Sequence, residues 1–114
     1  MDREKKFVKI KEAVLGKDYD LSWSFITPKK IQKFNLIYRN KNKPTDILSF
    51  PLSKNEGEIY ICLSETRKEA KKFDRTYENF IYFLFIHGCV HLKGYDHGST
   101  MERIETKFRK QFGI

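Results

Sequence analysis

The sequence predicts an α+β domain. Two observations carry this. Apolar spacing switches along the chain between the helical period and strict alternation, and the resulting order is helix, strand, helix, two strands, three helices. The length of 114 residues adds a third: it suits one core, so residues 1–114 are expected to form a single domain.

Each element has its own signal. Phe7, Val8, Ile10, Val14 and Leu15 recur at helical spacing over residues 3–15, and Gly16 follows as a stop. Residues 20–26 alternate Leu21, Trp23 and Phe25 with Ser22 and Ser24, which predicts a strand. Thr27-Pro28 reads as a helix start, with Thr as the cap and Pro at the first helical position. That helix runs through Ile31, Phe34, Leu36 and Ile37 to Arg39, and a polar, basic loop, residues 40–44, follows it. Residues 45–52 read as a strand that Pro51 places at a sheet edge. With 53–57 as turn material and 58–63 as the next strand, a hairpin with a longer loop is expected. Ser64, Thr76 and Ser99 are the expected caps of three further helices. The middle one is apolar on all sides from Phe80 to Val90, which marks a buried central helix.

Composition narrows the function classes. Sixteen Phe and Tyr residues exclude a fully disordered chain. No apolar run approaches the ~20 residues of a membrane span, and the charged start has no apolar segment behind it, so neither membrane nor secretion is expected. Cys62 and Cys89 stand apart, without a C-x-x-C, which suits a reducing cytoplasm and no disulfide. A net charge of +8 favours a polyanionic partner, nucleic acid first.

All three histidines lie within His87-Gly-Cys-Val-His91-Leu-Lys-Gly94-Tyr-Asp-His97. Positions four apart share a helix face, so His87 and His91 can point at one atom. Gly94 can stop the helix and turn the chain, which brings His97 back toward the pair. Three nitrogen ligands with a fourth position left for water form the catalytic arrangement for zinc. Any one of these histidines alone would read better as a core residue; three around a glycine turn read as a metal site. The spacing H-x3-H-x2-G-x2-H is that of the metzincin proteases, but Gly88 stands where their general base, Glu, would be. Asp96 either orients an imidazole, acts on a metal-bound water, or is a turn aspartate. Cys89 is read as core. Arg39, Lys41 and Lys43 lie within five positions. Such a loop either holds phosphates or is simply solvated, the better reading for an isolated Lys-rich loop, and Arg39 differs in being able to reach inward from its helix end. Lys68, Lys71 and Lys72 either extend that patch or are a solvated helix face.

The segment HGCVHLKGYDH at 87–97 resembles the H-G-x-L-H-L-x-G-Y-D-H signature of the YbeY endoribonucleases, bacterial rRNA maturation factors. Two further blocks match: Asn35 to Arg39 with Lys43 to Pro51 (KPTDILSFP), and Gly57 to Cys62 (GEIYIC). The resemblance covers roughly residues 20–112. It implies a small mixed sheet flanked by helices. It implies one Zn2+ per chain on His87, His91 and His97 plus water. It also implies cleavage of single-stranded RNA in 16S rRNA 3′-end maturation and ribosome quality control, on the small ribosomal subunit and not on DNA. Arg39 falls on the family's arginine near the metal cleft, the expected catalytic residue, with Lys41 and Lys43 beside it for RNA binding. Glu58 replaces the usual Asp, Val90 the usual Leu, and no counterpart of the first family strand precedes residue 3, so the sheet is expected to have three or four strands. A metalloprotease-like hydrolase and a non-catalytic RNA- or ribosome-binding module with structural zinc are the competing readings. Gly88 and the basic surface count against the first.

Overall fold

The computed structural model of the chain describes residues 2–96 and 98–114. In chain order these form α1 (Arg3–Leu15), β1 (Asp20–Phe25), α2 (Pro28–Arg39), β2 (Ile47–Ser53), β3 (Glu56–Ile61), α3 (Leu63–Lys72), α4 (Tyr77–Leu92) and α5 (Ser99–Phe112). The fold is α+β, in the expected element order. The sheet has three strands in the order β1-β3-β2, with β1 parallel and β2 antiparallel to β3.

Local chemistry explains most boundaries. The Thr27 hydroxyl accepts from the Lys30 amide at 3.2 Å, and Pro28 opens α2. The Thr76 hydroxyl does the same for the Asn79 amide at 3.1 Å at the start of α4. Gly94 takes φ +111° just past that helix, a conformation glycine adopts without steric cost. Pro51 lies on the edge strand β2, where its missing donor breaks no ladder.

Three expectations are corrected. The β2–β3 connection is not a long loop: Lys54 and Asn55 alone make the turn, and β3 starts at Glu56. Both neighbours pair with this start: Glu56 and Gly57 sit opposite Ser53 and Pro51 of β2 and opposite Asp20 and Leu21 of β1, and the Asp20 amide donates to the Asn55 carbonyl at 2.8 Å. Ser64 does not cap α3. The Cys62 amide still bonds to the Asp46 carbonyl at 2.9 Å, so the chain passes straight from sheet to helix and Cys62 is the N-cap. Ser99 does not cap α5 but is its first residue, because Gly98, at φ +151°, makes the turn into the helix.

The sheet's two faces follow the period-two pattern. Leu21, Trp23, Ile47, Ile59 and Ile61 face the main core, which α1, α4 and α5 complete. Leu48, Phe50 and Tyr60 face α2 and pack with Ile31 and Phe34. At the centre, the Phe7 ring stacks on Phe85 with centroids 4.0 Å apart, and Trp23 meets Phe85 edge-on at 5.4 Å.

Gly88 fixes how closely α4 approaches the sheet. A Cβ added there would lie 2.8 Å from the Ser49 hydroxyl and 3.0 and 3.1 Å from the Ile59 and Ile47 methyl ends. The residue faces β2 and β3 at van der Waals contact, so the protease glutamate has no room at this position.

Candidate active site

Helix α4 is buried along most of its surface. In its last turns the half-buried positions are Phe83, His87 and His91, spaced four apart on one stripe. The two imidazoles therefore lie on the one side of this helix that opens outward. They share a cavity of about 520 Å³ with Asn35, Arg39, Lys41, Lys43, Asp46 and Ser49. The expected ligands His87 and His91 and the expected RNA-binding residues Arg39, Lys41 and Lys43 all line this one cavity. His97 lies outside the described residues.

The opposite wall is built from the end of α2 and the basic loop. Asn40 takes a left-handed conformation, φ +58°, and ends the helix. Buried Asn35 donates through Nδ2 to the Lys43 carbonyl at 2.9 Å and holds the loop against α2. Arg39 Nη2 donates to the Ser49 carbonyl at 2.8 Å, and its guanidinium lies 5.1 Å from the Phe50 ring centroid. Two contacts thus aim an exposed arginine across β2. Three cations face two imidazoles, an arrangement that attracts phosphate.

Two carboxylates that sequence reading passed over complete the site. Glu105 on α5 is buried, and its Oε1 lies 2.7 Å from His87 Nδ1. A carboxylate on Nδ1 favours the ring proton there, the tautomer in which Nε2 is the ligating nitrogen of a metal-bound histidine. The signal was present: Glu105 follows Ile104 on the apolar face of an amphipathic helix, where an acid needs a partner. Asp46, in the TDILSFP block, is the one acid lining the cavity among the described residues. Burial, with the charge of Glu69 adding to it, pushes its pKa above the ordinary carboxylate value.

The Asp46 shift has a measurable consequence. Below the unfolded pKa both states hold the proton and the shift costs nothing. As pH rises toward the elevated folded value, the unfolded chain ionises first and stability falls. Asp46→Asn is expected to melt on the order of a few degrees higher than wild type at pH 7, with the gap closing near pH 3.5. Melting curves across pH check this.

The remaining sequence candidates lie elsewhere. Lys68 and Lys72 pair along α3 with Glu65 and Glu69, at 3.0 and 3.1 Å, and with Lys71 make a solvated face away from the cavity. Asp96 is exposed and does not line it. Cys89 is fully buried, and burial raises its thiol pKa so far that no thiolate forms near neutrality. Among the described residues no helix is long and apolar enough to cross a membrane.

A family model described as Endoribonuclease YbeY matches residues 2–113. The chain belongs to the YbeY family. An Endoribonuclease YbeY of Thermosipho melanesiensis is 32% identical, over 97% of this chain and 92% of that protein. One of Staphylococcus carnosus is 36% identical, over 83% of this chain and 70% of that protein. A solution structure from Thermotoga maritima superposes with a TM-score of 0.68 at 29% identity, covering 96% of this chain and 79% of that one. The two outermost YbeY-like blocks of the sequence, at Arg39 and at His87 and His91, thus meet across one cavity.

Proposed function

We propose that the chain is a zinc-dependent endoribonuclease that cuts single-stranded RNA. Its expected substrate is the 16S rRNA precursor on the small ribosomal subunit, in the cytoplasm, where it would serve 3′-end maturation and ribosome quality control. The observation that carries the reading is the cavity itself. His87 and His91 face Arg39, Lys41 and Lys43 across it, with Glu105 on the far nitrogen of His87. The donor set suits zinc: two imidazoles one helical turn apart, one with its tautomer fixed by a carboxylate. His87 and His91 would hold the metal, with His97 as the third ligand.

When bound, the metal supplies Lewis-acid polarisation of a phosphoryl oxygen and acidifies the attacking water. The chain's own residues do the rest. Arg39 keeps guanidinium donors beyond the one on Ser49, and these stabilise charge developing on the phosphate. Lys41 and Lys43 hold neighbouring phosphates and make affinity fall steeply with salt. Asp46, half-buried in the same cavity and with a raised pKa, would accept a proton from the attacking oxygen.

The test is a circular single-stranded RNA, which only an internal cut can linearise. Purified protein is expected to linearise it, and an excess of chelator to stop the reaction. Circles that stay intact at every divalent metal tried would sink the proposal.

A further inference from the structure

Beside the cationic cavity, on the α2 side of the sheet, four rings gather around an opening of about 270 Å³: Phe34, Tyr38, Phe50 and Tyr60. Their centroids lie 5.1 Å apart for Tyr38–Phe50, 5.2 Å for Phe34–Tyr60 and 6.0 Å for Phe50–Tyr60. Rings packed this closely are ordinary in a core, but this group is open. Tyr38 is 61% exposed, among the most exposed large apolar side chains of the chain. We infer that this aromatic cup is a stacking site for an unpaired base of a single-stranded RNA whose backbone lies in the adjoining cationic cavity.

Three observations single out that occupant. The cup and the cavity adjoin: Arg39, next to Tyr38 in the chain, lines the cavity, while its guanidinium stands over the Phe50 ring of the cup. A strand with a phosphate on Arg39 therefore has a neighbouring base within reach of Tyr38. The cup itself rejects phosphate, because its polar rim is the Glu58 carboxylate, which accepts from the Tyr60 hydroxyl at 3.0 Å. Its second oxygen is left to accept N–H groups from a base edge. An aromatic face beside a basic groove is how sequence-tolerant single-strand binding is built, since every base has a π-face. A base held in duplex cannot enter, so the cup gives the single-strand preference a physical cause. The inference rests on the RNA reading above.

The experiment measures binding of as-purified protein to a labelled single-stranded RNA decamer and to the same decamer built of abasic ribose units, in the cold, with RNA integrity checked on gels. Tyr38→Ala is expected to bind the base-bearing decamer about 10-fold more weakly than wild type, the size of one lost stack. It should lose nothing on the abasic decamer, and its salt dependence should match wild type, because no phosphate contact is removed. Tyr38→Phe should stay within about 2-fold of wild type. Equal affinity of Tyr38→Ala and wild type for the base-bearing decamer overturns the inference, as does an equal loss on both decamers. So does a wild type that self-associates through this face, with Tyr38→Ala monomeric and unchanged toward RNA. If wild type binds neither decamer, the RNA reading falls as well, which separates that failure from the others.

Discussion

A His91→Ala chain is expected to lose its metal and to cut single-stranded RNA at least about 1,000-fold more slowly than wild type. The size follows from the chemistry at stake. Lewis-acid stabilisation of a developing phosphoryl charge is worth several kcal/mol, and each ~1.4 kcal/mol is a factor of ten in rate. His91 is half-buried and lines the cavity from α4, whose packing rests on the residues around it, including Phe85, Ile86, Cys89 and Val90. The substitution should therefore leave the fold in place, and near-wild-type melting of the metal-free forms would confirm that the loss is local. Wild-type cleavage by His91→Ala would remove the histidines from the mechanism.

The second large effect is expected at Glu105. Its carboxylate holds His87 Nδ1 at 2.7 Å from a different helix, so it acts through the imidazole. Glu105→Ala is expected to weaken metal binding by roughly 10- to 100-fold, the usual loss when such an outer partner is removed. Glu105→Gln keeps an oxygen able to accept from Nδ1–H and should recover part of that loss. Competition against a chromophoric chelator reads affinity without reference to turnover. Equal metal affinity in wild type and Glu105→Ala would show that the pair only staples α5 to α4.

The two carboxylates also mark where sequence reading stopped. His87 and His91 were legible because a fixed spacing on one helix is a local property, and Arg39 because it sits in a recognisable block. Glu105 lies 18 residues from its partner, and only the packing of α5 on α4 brings the two together. Asp46 was inside a noticed block, yet nothing local says that its side chain turns into the cavity, where burial raises its pKa. The same distinction runs through the fold. Thr27 and Thr76 cap as expected because a cap is decided within four residues. Ser64 and Ser99 do not, because the preceding strand in one case and Gly98 in the other moved the helix start. The short β2–β3 turn depends on the register in which Ser53 meets Glu56 across an irregularity after Pro51, and on β1, which pairs with the same start of β3 from far back in the chain. Gly88 is the converse case. The sequence marked it as a missing protease base, and packing supplies the reason it is glycine: the sheet touches the helix there.

The central claim is that His87 and His91 are ligands. Metal analysis of the purified chain beside His91→Ala tests it most directly. About one zinc per chain in wild type and almost none in the variant is the predicted result. The same metal content in both proteins would contradict it.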